Sequence, residues 1–207
     1  MATEIKLNFH HQGLRSYIEV DLCAHCPRQD DKGCCGYYSP VFYPLDLYYL
    51  QQNAPQVLDI IWSLPHLTIL DHSVTVNSFP DETGGYYCQF HRREGGCQLK
   101  QEWRESVCRH FVCPGINWQE EDSLSDWCEI FDSLENLEIK LNQVITDHLA
   151  NANLSLRDPQ QRDKWLTELA EVVPLVTSRV NGSIFGPPLQ NEVTIKRELK
   201  YGSMWPL

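Results

Sequence analysis

Apolar and polar residues alternate through "EIKLNF" and again through "SYIEV", so residues 1 to 20 read as a strand-like lead-in. The spacing then lengthens. "PLDLYYLQQN" predicts a short helix with Asp46 in its first turn, where a carboxylate favours the positive end of the helix. "PQVLDIIWSL" predicts a second, with Pro55 at its first position. "SVTVNSF" returns to a period of two, "PDETGG" breaks it and "YYCQF" resumes it, which predicts a hairpin. "HRREGGC" adds a tight turn at Gly95 and Gly96.

After Trp118 the texture changes. Leu124, Trp127, Phe131, Leu134, Leu137, Leu141, Val144, Ile145 and His148 recur mostly three or four residues apart, the stripe of a long amphipathic helix. Ser123 and Asp126 give it a start resembling a capping box. "DPQQRDKWLTELAEVV" predicts another helix, opened by Asp158 and Pro159 and closed by Pro174. The tail holds turns and one short alternating stretch. These elements predict an α+β fold. A small cysteine-rich unit with a β-hairpin and short helices spans residues 1–118, and a helical C-terminal region, 119–207, packs on it.

Composition narrows the function classes. The chain of 207 residues is 42% hydrophobic, enough for a sizeable core, and carries a formal net charge of -11. Such an acidic surface repels phosphate backbones, so nucleic acid is not an expected partner. No apolar run approaches the roughly 18–20 residues of a membrane span, and the first residues carry no secretory pattern. A cytoplasmic protein is therefore expected, in a reducing compartment where disulfides are uncommon. The charge is uneven. From Gln119 to Ala150 nine acids face one lysine, and from Cys88 to Cys113 five basic residues face three acids. The acidic helix over residues 123–149 is most simply a solvated face, and otherwise a docking surface for an unknown protein partner.

The nine cysteines carry the candidate chemistry. Cys23, Cys26, Cys34 and Cys35 form one group, and Cys88, Cys97, Cys108 and Cys113 a second. A CxxC loop lets two thiolates converge on one centre while backbone N–H groups point at the sulfurs. Zinc takes four such ligands tetrahedrally, and a four-iron cluster takes one per iron. Arg92, Arg93, Arg104 and Arg109 are available as donors to the negative charge that such a site carries. Cys34 and Cys35 are adjacent, so their side chains point apart. The spacing permits two four-thiolate zinc sites or one cluster with spare cysteines. Cys26 and Cys113 each precede a proline, as in ferredoxin ligand runs, and Tyr37, Tyr38, Phe90, Trp103, Phe111 and Trp118 would shield a cluster from water. These features favour an iron–sulfur cluster of the 4Fe–4S type over Zn2+.

"CAHCPRQDDKGCC", followed by "CQFHRREGGCQLKQEWRESVCRHFVCPG", resembles the YkgJ-type cysteine-cluster family of zinc- or iron-chelating domains, over residues 23 to 118. The resemblance implies that Cys23, Cys26, Cys34, Cys35, Cys88, Cys97, Cys108 and Cys113 are the metal ligands, and that the family's helix-opening acid is Asp46. Where the family has Arg-Pro before its "CR" pair, this chain has Arg104 and Glu105, a departure expected to touch no ligand. A cluster of this kind also occurs in flagellin lysine-N-methylases, which keeps a protein-modifying enzyme as an alternative.

Other residues read more simply. Cys128, inside the amphipathic stripe, is a small buried hydrophobe. Cys23 and Cys26 as a redox dithiol would need a helix after Cys26, and the sequence there is loop. His25, His91 and His110 lie beside cysteines without being needed as ligands. "TGG" and "EGG" are turns, with no phosphate-loop lysine behind them. The chain is thus expected to be a cysteine-ligated metal-binding protein with a structural or electron-transfer role. A zinc-stabilised interaction module is the other alternative.

Overall fold

The computed structural model describes residues 2–24, 38–80, 86–92, 96–178, 180 and 191–198. The opening alternation does form a strand, β1 (Thr3–His10), in which Ile5, Leu7 and Phe9 are buried and Glu4 and Lys6 face solvent. The chain turns through a 3-10 segment at Gly13–Arg15, where Gly13 holds a φ of 59° that a side chain would strain. It returns as β2 (Tyr17–Val20) and runs straight into a single turn, α1 (Asp21–Ala24). Asp21 ties that turn to β1 by accepting the Lys6 N–H at 3.1 Å.

Next come β3 (Val41–Phe42), α2 (Pro44–Asn53) and α3 (Pro55–Ser63), as the two helical patterns predict. Three short strand elements follow, β4 (Leu67–Ile69), β5 (Val74–Val76) and β6 (Phe79–Pro80). β6 pairs with β7 (Tyr86–Tyr87), and β8 (His91–Arg92) with β9 (Gly96–Cys97). Helices α4 (Ser106–His110), α5 (Ser125–Asn151) and α6 (Arg162–Thr177) precede the last described strand, β10 (Glu192–Arg197).

"SVTVNSF" does not run as one strand. β5 ends at Val76 and joins a sheet of order β3-β5-β4, leaving only Phe79 and Pro80 to face Tyr87 and Tyr86. At the break the buried Gln89 amide donates to the Asn77 carbonyl at 2.9 Å and to the His66 carbonyl at 2.8 Å, and the Ser78 N–H turns to the Ser39 hydroxyl at 3.0 Å. Ser123 does not cap α5. Residues Asp122–Leu124 wind as a 3-10 turn, and the fully buried Leu124 rather than a side-chain oxygen marks the helix entry. Nor does Pro174 close α6. It sits in the last turn, and the helix continues to Thr177, with the Ser178 N–H reaching the Pro174 carbonyl at 3.0 Å. A proline that late forfeits one backbone bond without ending the helix at once.

The described residues build two apolar cores. In one, the sheet of order β10-β1-β2 lays Ile5, Leu7, Phe9, Ile18 and Ile195 against the first half of α5. Phe9 stacks on Trp127 at 5.0 Å and meets Trp118 edge-on at 5.2 Å. In the other, α2, α3 and β5 pack on the second half of α5 and on α6, through Leu47, Leu50, Ile61, Val74, Ile145 and Trp165. Helix α5 serves both, with Trp127, Phe131 and Leu134 in the first and Leu141, Ile145 and Leu149 in the second. Between Leu134 and Leu141 the stripe carries a buried Glu138.

Candidate metal centre

The second cysteine group is spread over both cores. Cys88 follows β7 and is buried in the same core as Phe90, with Cys97 packed at that core's edge. The His91 N–H donates to the Cys88 carbonyl at 2.9 Å, and the main chain at Phe90 and His91 favours the Cys88 thiolate. Burial nonetheless pushes the Cys88 thiol up to about 11, and the nearby Cys97 and Glu105 push it the same way. A thiol so placed is poor at ionising alone, but a bound cation reverses that by neutralising the thiolate. Cys88, Cys97, Cys108, Cys113 and Cys128 are all free thiols.

Cys108 rides on α4, and Glu105 caps that helix. The Glu105 carboxylate accepts the Val107 N–H at 2.9 Å and the Cys108 N–H at 2.8 Å, and the Cys108 thiol also hydrogen-bonds it. Burial raises the Glu105 carboxyl to about 7, against the pull of those donors. The expectation that Glu105 touches no ligand is overturned, because its side chain holds both the backbone and the sulfur of Cys108. Tyr38 lies beside Glu105 and Cys108, and burial pushes its phenol up.

A chain of buried charges fixes this corner. Arg15 pairs with Asp46 at 2.7 Å and donates to the Glu102 and Arg104 carbonyls at 2.7 and 2.8 Å. Asp46 also accepts the Tyr43 N–H at 3.2 Å, as a helix-opening acid should. Arg109, next to Cys108 and fully buried, donates to the Ser16 carbonyl at 2.9 Å and pairs with Glu138. Ser106 donates to the other oxygen of the same carboxylate. The loop before α4 and α4 itself are thereby tied to β2, α2 and α5.

The described arginines have carbonyl or carboxylate partners. Arg109 is committed to Ser16, Leu14 and Glu138, Arg104 to the Leu99 carbonyl, and Arg92 to the carbonyls of Gln89 and His91. His110 is spent too: its Nε2 sits 3.2 Å from the Ser16 carbonyl, and burial holds the ring at about 3. Of the expected aromatic shield, Phe90 and Trp118 are buried, in different cores, whereas Phe111 is exposed.

The first group is only touched by the described residues. Cys26, Cys34 and Cys35 lie outside them, with His25, Tyr37 and Arg93, and of Cys23 only the backbone is described. That backbone is informative, because α1 packs against β9, which carries Cys97. Cys113 lies apart from Cys88 and Cys97, packed against the sheet core with Leu22 and Cys128. Among the described residues, no three His, Cys, Asp or Glu side chains gather closely enough to hold a metal ion. Of the second group, Cys88 lies near Cys97, Glu105 lies near both Cys88 and Cys108, and α1 brings the backbone of Cys23 beside the strand of Cys97. Glu105, Glu138 and Arg15 were not among the predicted site residues. Glu138 alone had a sequence signal, as an acid on an apolar stripe.

No protein-family model matches the chain, and neither a curated protein nor a solved structure does. No described helix is long and apolar enough to cross a membrane.

Proposed function

We propose that this chain is a cysteine-ligated metal-binding protein of the cytoplasm, holding an iron–sulfur cluster in a structural or electron-transfer role. The observation that carries the reading is the Cys88 corner, where a buried thiol lies beside Cys97 and the main chain at Phe90 and His91 favours its thiolate. Main-chain dipoles of this kind stabilise thiolate ligands and tune cluster potentials. Cys88, Cys97 and Cys108 would supply ligands from this side, with Cys113 and the group of Cys23, Cys26, Cys34 and Cys35 completing the set. When bound, the cluster would supply reversible one-electron transfer. The resemblance to the YkgJ-type family supports the same reading.

The test is anaerobic purification with iron, zinc and acid-labile sulfide analysis and a visible spectrum. Broad absorption near roughly 400 nm, with iron and sulfide, is the expected result. Colourless protein with stoichiometric zinc and no sulfide would replace the cluster with closed zinc sites and a structural role. Cys97→Ser and Cys23→Ser should each lose metal and stability, whereas Cys128→Ala should lose neither. Full metal retention in both ligand variants would overturn the assignment.

A further inference from the structure

On the face of α5 away from the cores, a groove of about 480 Å³ runs between the helix and the turn joining β4 to β5. Its volume lies in the range of sites that bury a ligand. Three large apolar side chains stand open around it: Tyr43, Leu70 and Ile139, exposed by 46%, 44% and 62%. Side chains of this size rarely gather at a solvent-facing groove without a use.

The polar lining is already engaged. Asp71 sits 3.4 Å from Arg157 and accepts from Ser155, so that pair is neutral overall. Asn142 accepts the Leu45 N–H at 2.9 Å, Gln143 donates to Asp147 at 2.8 Å, and His72 accepts from the Trp165 indole at 3.2 Å. What stands most open around the groove is apolar.

Charge decides what brings the apolar anchor. The helix face holding Ile139, Asn142 and Thr146 continues towards the helix start through Glu135 and Asp132, both exposed, and α5 carries one lysine. We propose that this groove docks a basic segment of another protein, which inserts an aliphatic or aromatic side chain between Tyr43, Leu70 and Ile139 and lays its cations along Glu135 and Asp132. The site adjoins the cysteine corner. Tyr43 leads into Asp46, the partner of Arg15, and Tyr38 neighbours both Tyr43 and Cys108. A bound partner would therefore stand beside the candidate metal centre, although the surface itself is built from residues outside both cysteine groups and does not depend on the metal reading.

The experiment uses the whole chain and two fluorescein-labelled amphipathic helical peptides with identical leucine faces, one bearing lysines and the other glutamates. Fluorescence anisotropy should show saturable binding of the lysine peptide only, weakening with added salt. Leu70→Ser and Ile139→Ser, both at exposed positions, should each weaken it by about ten-fold at unchanged melting temperature. Glu135→Gln with Asp132→Asn should flatten the salt dependence. Binding of the lysine peptide unchanged by both serine variants would mean unspecific attraction and overturn the proposal. So would equal binding of the glutamate peptide, no binding, or self-association of the chain that Ile139→Ser abolishes, which would assign the groove to a second copy.

Discussion

Replacing Glu138 by alanine should be among the most damaging single changes in this protein. Its carboxylate is the counterion of Arg109 and the acceptor of Ser106, and the arginine side chain has no exposure at all. Without it, Arg109 keeps the Ser16 carbonyl at 2.9 Å and the Leu14 carbonyl at 3.2 Å but has no direct negative partner. Removing one member of a buried pair costs about 3–5 kcal/mol, because the other charge stays desolvated. Asp46 lies nearby but is already paired with Arg15, whose charge opposes that of Arg109, so the loss should fall within that range. That is a large share of the roughly 5–15 kcal/mol that holds a domain folded.

Urea unfolding followed by tryptophan fluorescence reads both cores, since Trp118 and Trp127 report on the sheet core and Trp165 on the helical one. At fixed metal occupancy the midpoint should fall by about 1–2 M with little change of slope. Glu135→Ala, exposed and less than one turn away, should stay within about 0.5 kcal/mol of the parent. The double variant Arg109→Met with Glu138→Leu should recover much of the loss, since it removes both charges and keeps the volume. If Glu138→Ala unfolds within about 1 kcal/mol of the parent, the pair is not the strut that the buried contacts imply.

Two further changes test the same corner. His110 holds a ring at about 3 against an ordinary 6.5, so on acidification the unfolded chain takes up the proton first and stability drains away through that window. The parent should lose about 2 kcal/mol more than His110→Gln between roughly pH 6.5 and 5, and parallel pH profiles would refute the burial argument. Glu105→Ala removes the α4 cap and strands two N–H groups, costing about 1–2 kcal/mol, or roughly 2–8 °C of melting temperature. An unchanged melting temperature would show that the cap is dispensable.

Much of the fold was legible because it rests on periodicity. Ile5, Leu7 and Phe9 alternate and form β1, and the stripe from Trp127 to Ile145 forms α5. The α+β architecture, with a hairpin and helices towards the C-terminus, follows from such patterns. Periodicity also misled where a different force decided. Val144 fits the stripe and is half exposed, while Glu138, polar and on the stripe, is buried by its partners. Arg15 and Asp46 stand 31 positions apart, and no local pattern announces a pair closed by tertiary packing. Cysteine spacing named the thiols, but not that α1 would deliver Cys23 to the strand of Cys97.

The corner they form has a logic beyond the thiols. Two cores share one helix, and where α5 passes from one to the other it must bury a residue that belongs to neither. An apolar residue there would leave Arg109 without a counterion and Ser106 without its acceptor. Glu138 draws Arg109 and Ser106 to the seam and thereby places Cys108 between them, with Glu105 holding the same short helix from its other end. A helix of five residues has little stability of its own. Its position is set by these two carboxylates together with the Arg109 bonds to the Ser16 and Leu14 carbonyls, so under the proposed metal reading the geometry at Cys108 depends on charges outside the cysteine set. Metal affinity should accordingly fall in Glu138→Ala even though all nine cysteines remain, and that loss should track stability rather than thiol content.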